Sequence, residues 1–226
     1  MAAARYKDLC IDATDPALLG RFWADAIGLR MAQLGDGDVV LRGATPEHTV
    51  WVNRVPEPRT VKQRVHLDIN AASVDEVVAA GARVLDDTSF PWTVVADPEG
   101  GELCVFVRDP PVTQRLYEIV LDTGDSAEAP AAIATWWGSV LEAPVVHHER
   151  GFSYVHEIPG APFESLDFVP VPEPKRVKNR IHLDFLTDDV SALVAAGATV
   201  IRPRDEEIGW TVLADPDGNE FCAFAD

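Results

Sequence analysis

The chain has 226 residues, with 37 acidic against 19 basic side chains and a formal charge of -18 at neutral pH. That balance excludes a surface built for nucleic-acid phosphates or for anionic membranes, because both need a net basic face. Three cysteines are too few and too odd for a disulfide framework, no apolar run approaches the roughly 18 residues of a membrane span, and the N-terminal MAAARYKDLC carries no signal-peptide core; a cytoplasmic protein is expected.

Residues 8–12 alternate, with Leu9 and Ile11 on one face and Asp8, Cys10 and Asp12 on the other, which is the pattern of a strand buried on one side. Asp15 and Pro16 then open a helix as N-cap and first residue, Gly28 closes it, and Leu19, Phe22, Trp23 and Ile27 recur at helical spacing as core. Short strands follow at 30–34, 39–42 and 49–55, with a turn at 35–38, so the unit reads βαβββ.

A second unit of the same shape begins with VPEPRTVKQRVHLDI at 55–69. Here Lys62, Arg64, His66 and Asp68 share one parity while Val65, Leu67 and Ile69 share the other. Ser73 and Glu76 form a capping box, Val74, Val77 and Val78 a narrow apolar stripe, and Gly81 a helix stop. Strands at 92–96 and 102–107 flank the turn Asp97-Pro98-Glu99-Gly100, and Asp109-Pro110-Pro111 reads as a linker.

From Leu116 the order repeats. VPEPKRVKNRIHLDF at 171–185 answers the first stretch, with Lys178, Arg180, His182 and Asp184 on one face; WTVVADPEGGELCVF at 92–106 is answered by WTVLADPDGNEFCAF at 210–224. Trp136-Trp137 stands where the first copy has Phe22-Trp23. The expected division is therefore 1–108, a linker at 109–115, and 116–226, each half holding two βαβββ units. Whether units pair within a half or across halves is open.

The paired βαβββ units, the FW-to-Gly helix and the D-P-[DE]-G hairpin resemble the vicinal oxygen chelate superfamily, which includes glyoxalase, bleomycin-resistance and extradiol dioxygenase proteins. VKxRxHLD and GNEFCAF look most like its actinobacterial glyoxalase-like branch. The resemblance implies an α+β fold in which four modules form two cup-shaped sheets, with ligand or metal on the concave side. Carried over residue by residue, it puts the metal positions at Asp8, His66 and Cys104 in one half and at Glu118, His182 and Cys222 in the other. The family's metal enzymes carry glutamate where both halves here carry cysteine, and Glu102 and Glu220 lie two residues earlier on the same face.

The strand face has two readings. As a solvated, salt-bridged strand it means little. As a cup floor it makes Arg64 and Arg180 forks for an anion, His66 and His182 hydrogen-bond partners or general bases, and Asp68, Asp184, Asp12 and Asp122 neighbouring carboxylates. Trp92 and Trp210 are either core or an apolar wall, and no base stands beside Cys104 or Cys222 to make a nucleophile. The expectation is a small-molecule-binding protein of the bleomycin-resistance type, for an anionic or aromatic organic ligand, acting as monomer or homodimer. No stoichiometric metal is expected, because three ligands from three strands must converge on one ion. The alternatives are a lyase, isomerase or dioxygenase using zinc, iron or nickel, and a partner-binding pseudo-enzyme.

Overall fold

The computed structural model describes residues 2–225. The first module comprises β1 (Arg5–Ala13), α1 (Pro16–Ile27), β2 (Arg30–Gln33), β3 (Val39–Arg42) and β4 (Val50–Arg54). The second comprises β5 (Val65–Ala71), α2 (Val74–Ala79), β6 (Arg83–Asp86), β7 (Thr93–Ala96) and β8 (Glu102–Val107). The third runs β9 (Leu116–Thr123), α3 (Ala129–Leu141), β10 (Val145–His147), β11 (Ser153–His156) and β12 (Ser165–Pro170). The fourth runs β13 (Ile181–Thr187), α4 (Val190–Ala195), β14 (Thr199–Arg202), β15 (Thr211–Ala214) and β16 (Glu220–Ala225). Among the described residues no helix is long and apolar enough to cross a membrane.

The local signals act as their chemistry dictates. Asp15 Oδ1 accepts from the Leu18 amide at 3.0 Å, and Gly28 closes α1 in the left-handed region at φ 73°. Ser73 Oγ accepts from the Glu76 amide at 3.3 Å, while the Glu76 carboxylate reaches back to the amide of Ala72 at 3.4 Å. Each D-P-[DE]-G hairpin is pinned by its own aspartate. Asp97 Oδ1 accepts from the amides of Glu99 and Gly101, and Asp215 Oδ1 from those of Asp217 and Asn219. Burial pushes both carboxyls up to about 6, against the pull of those amides.

Pairing crosses the halves. One sheet has the order β14-β15-β16-β13-β1-β4-β3-β2 and the other β10-β11-β12-β9-β5-β8-β7-β6. The first module thus shares a sheet with the fourth across the antiparallel β1–β13 seam, and the second with the third across β5–β9.

Alternation then sorts the faces. Leu9, Ile11, Leu67, Ile69, Leu183 and Phe185 are buried in one continuous core; such a side chain contributes roughly 1.5–3 kcal/mol when fully buried. α3 lies on β10 to β12, and its Trp137 reaches Phe185 and Phe221 of the other sheet, with ring centroids at 5.0 and 5.2 Å. Phe22 and Trp23 of α1 are core, as their spacing predicts, and so is Trp137 of α3, while Trp136 is partly buried and packs against the core. Trp137 Nε1 also donates to Asp215 Oδ2 at 3.2 Å, whereas Trp23 Nε1 has no partner among the described residues.

Candidate functional site

Both seams place a polar row on the face opposite the core. In the first sheet, β1 opposite β13 sets Cys10 against His182 and Asp8 against Asp184, and β13 beside β16 sets Asp184 against Cys222. A cleft of about 380 Å³ opens over this row. Trp51, Trp210 and Phe224 supply its apolar wall, and Lys7 and Lys178 stand at its edge. Trp210 packs on Phe224 at 5.3 Å, and the Lys7 ammonium lies 4.2 Å from the Phe224 ring centroid.

The floor is buried and poorly satisfied. Asp8 Oδ2 accepts from Trp51 Nε1 at 3.0 Å and from Lys7 Nζ at 2.6 Å, and the Cys10 thiol donates to Asp184 Oδ2 at 3.5 Å. Asp8 Oδ1, Asp184 Oδ1 and His182 Nδ1 are buried with no hydrogen-bond partner among the described residues. Burial and the facing Asp8 carboxylate push Asp184 up to about 8; burial, assisted by the Lys178 charge, pushes His182 down to about 4. Burial and the Asp184 charge also raise the Cys222 thiol. The floor thus holds its imidazole toward the neutral form and its facing Asp8 and Asp184 carboxyls toward sharing a proton, beside thiols held toward the protonated form.

The matching face of the second sheet differs. His66 Nδ1 bonds Asp68 Oδ1 at 2.8 Å, and the same oxygen accepts from the Cys104 amide at 3.3 Å. Burial alone lowers the His66 pKa, but the Asp68 charge and hydrogen bond outweigh it and the net direction is up. Burial together with Asp167 raises Glu118 to about 8; burial raises Asp167 to about 6 despite the hydroxyl of Ser165. Burial likewise raises the Cys104 thiol. Trp92 stacks on Phe90 at 5.2 Å and tilts against Phe106 at 5.3 Å.

Several expectations need correction. Asp8 does not meet His66 and Cys104, nor does Glu118 meet His182 and Cys222, because module exchange puts each carboxylate in the other sheet. Asp8 faces Asp184 beside His182 and Cys222, and Glu118 faces Asp68 beside His66 and Cys104. The sets whose donor atoms do converge, within 4.8 Å of one another, are Cys10, His182 and Asp184 in one sheet and His66, Asp68 and Cys104 in the other. Convergence of three donors was not expected, and the register of the strands explains it. Glu102 and Glu220 are no substitutes. Glu102 holds Arg59 and the Gln63 amide, and Glu220 holds Lys175 and the Asn179 amide.

Arg64 and Arg180 are not forks on the cup floor. They precede their strands by one residue and cross to the opposite half. Arg64 donates to the carbonyls of Glu173 and Asp122 at 2.6 Å each; Arg180 donates to the Glu57 carbonyl at 2.8 Å and to Glu99 Oε2 at 3.2 Å. Asp12 and Asp122 are likewise taken up, by Lys178 and Lys62. Cys10, Trp51 and Asp167 were missed by sequence reasoning. Cys10 shares parity with Asp8 and Asp12, the one signal that could have found it.

The chain matches the model of a family described as a glyoxalase-like domain over residues 8–106 and again over 118–224. Among solved structures it resembles glyoxalase I from Zea mays at 13% identity and a TM-score of 0.70, covering 98% of this chain and 92% of that one. A candidate dioxygenase from Bacillus subtilis aligns at 13% identity and 0.67, covering 100% and 86%. The cppA protein from Streptococcus pneumoniae aligns at 10% and 0.54 over the whole of both chains. At these identities the likeness is one of fold. A search of curated protein sequences gives no significant match.

Proposed function

The chain belongs to the glyoxalase-like domain family, and from that membership we propose that it binds a small organic molecule in the cup of the first sheet. The observation that carries the reading is the cleft of about 380 Å³ walled by Trp51, Trp210 and Phe224 above His182 and Asp184. Small-molecule sites have roughly 300–1,000 Å³, mostly apolar walls and a few polar groups that fix orientation. Flat indole surfaces favour a flat or aromatic ligand. An imidazole held toward the neutral form beside carboxyls that share a proton favours hydrogen bonds to a carbonyl or hydroxyl over ion pairing. Lys7 and Lys178 at the edge are paired with Asp8 and Asp12, so an acidic group on the ligand shares their charge rather than meeting a free cation. On this reading the protein acts in the cytoplasm, as monomer or homodimer, on a small molecule and not on nucleic acid or membrane.

The test is a tryptophan-fluorescence and thermal-shift screen of small aromatic carbonyl compounds and acids. Binders are expected to quench the indoles and to lose their effect in Trp210→Ala. Binders that act on Trp210→Ala undiminished refute this site.

A second reading, a metal-dependent lyase, isomerase or dioxygenase in the same cup, is favoured by three buried polar atoms without hydrogen-bond partners among the described residues, beside the Cys10 thiol; of these, Asp184 Oδ1 has only His182 Nε2 at 3.6 Å. Unsatisfied donors gathered at one place fit a divalent ion, and mixed nitrogen, sulfur and oxygen donors suit zinc, iron or nickel. His182, Asp184 and Cys10 would hold it, with Asp8 alongside. Bound there, such an ion supplies Lewis-acid polarisation of a ligand oxygen. The chain's own contribution is to orient the ligand against the indole wall, exclude water and keep His182 unprotonated. The second sheet fits an ion less well, since Asp68 already serves His66 and the Cys104 amide. Elemental analysis after dialysis against zinc separates the readings. One ion per chain, lost in His182→Ala and kept in His66→Ala, supports the metalloenzyme; no retained ion leaves the metal-free binder.

A further inference from the structure

The repeated stretch has a second consequence, away from both cup floors. Its two copies, loops 55–64 and 171–180, face one another across the junction of the halves and enclose a cavity of about 490 Å³. In a chain with a charge of -18, the cations lining it are Arg59, Lys62, Arg64, Arg176, Lys178 and Arg180, against the carboxylates Asp12, Glu57, Asp122 and Glu173. Lys62 and Lys178 neutralise Asp122 and Asp12, while Arg59 and Arg180 pair with Glu102 and Glu99 outside the lining. Arg64 and Arg176 have no carboxylate at ion-pairing distance among the described residues. Arg64 gives its two terminal nitrogens to backbone carbonyls and keeps a buried Nε without a partner. Glu57 and Glu173 stand exposed. Between the charges, Val61 and Val177 lie 43% and 46% exposed, uncovered by any side chain of a compact core.

We infer that this cavity binds an organic anion with an apolar body, its carboxylate or phosphate held by Arg64 and Arg176 and its body set against Val61 and Val177. Guanidinium groups without a carboxylate partner are the natural receptors for such a head, and the two exposed valines offer the body an apolar surface to cover. The site is separate from the cup reading, although Lys178 borders both spaces.

The test uses the full chain with phthalate as probe and dimethyl phthalate as its uncharged counterpart, followed by calorimetry and by amide and indole chemical shifts. Saturable binding of phthalate alone is expected, with shifts at the amides of Val61 and Val177. Arg176→Ala, at an exposed position, should weaken it about tenfold, the loss of one charge-assisted contact. Asp217→Glu, which supplies Arg64 with a carboxylate, should weaken it in the same direction. Absence of saturable binding, equal binding of the diester, unchanged affinity in Arg176→Ala, or shifts confined to the Trp51 and Trp210 indoles would each overturn the inference, the last while leaving the cup reading intact.

Discussion

Substituting Asp217 by Glu should stabilise the protein, and the internal repeat supplies the control. Arg180 closes on Glu99 Oε2 at 3.2 Å, in a pair whose side chains are only 12% and 11% exposed. The equivalent of Glu99 in the other hairpin is Asp217, one methylene shorter. There the bond is not made, and Arg64 Nε and Asp217 Oδ2 both stay buried without partners. Attraction is present all the same: burial raises the Asp217 pKa and the Arg64 charge pulls against it. A longer side chain converts that attraction into a charge-assisted hydrogen bond, worth about 1.5–3 kcal/mol when buried. Asp217 is half-buried, so about 1 kcal/mol is the figure to expect after solvent screening. For a chain of this size that raises Tm by about 2–4 °C. The reciprocal Glu99→Asp should cost more, about 2 kcal/mol, because Glu99 also accepts from the amides of Thr14 and Asp15 at 3.0 and 2.7 Å. Thermal unfolding followed by circular dichroism measures both. If Asp217→Glu is neutral or destabilising while Glu99→Asp is silent, the two arginines do not tie the halves together through these carboxylates.

Further outcomes follow from the same asymmetries. Glu118 has its folded pKa near 8 against an ordinary 4.5, so the native state holds the extra proton between those values. The resulting stability is complete below about 4.5 and lost as pH rises through about 8. In chelator-treated protein, Glu118→Gln should flatten that fall in urea unfolding measured across the window; an unchanged slope would mean that Glu118 titrates normally. His182 acts in reverse, its depressed pKa making stability rise with pH between about 4 and 6.5, and His182→Gln should remove that rise. Trp137→Phe breaks a buried bond to Asp215 and Trp23→Phe removes an unpartnered N–H. The first should therefore cost about 1 kcal/mol more than the second, and equal losses in calorimetric unfolding would contradict the pairing.

Much of the fold is legible in the sequence because its signals are local. Asp15, Gly28, Ser73 and the two D-P-[DE]-G turns each act within four residues of themselves. Strand alternation likewise separates Leu67 and Ile69 from His66 and Asp68 without reference to any partner. The choice of partner is not local. β5 and β13 carry nearly the same residues, so either satisfies the alternation of β1, and the carboxylates assigned to His66 and His182 came out exchanged. Arg64 and Arg180 show a second limit. Parity fixes which way a strand residue leaves the backbone, but a long side chain at the strand's first edge ends where its acceptors are, here the carbonyls of the opposite loop. Cys10 shares the polar parity of β1, but parity alone does not single it out, and only the neighbours brought by the fold give Cys10 and Trp51 their place beside Asp184 and Asp8.

Exchange of modules also says what half of this chain is. A fragment ending before Leu116 holds two modules with open seams, since β1 has lost β13 and β5 has lost β9. The fragment closes both seams at once either by laying its own β1 against its own β5 or, keeping the crossed arrangement of the intact chain, by meeting another copy of itself, β1 of each lying against β5 of the other around a twofold axis. A severed half that keeps the crossed arrangement should accordingly behave as a dimer, and the intact polypeptide has the layout of such a dimer with its two subunits joined end to end.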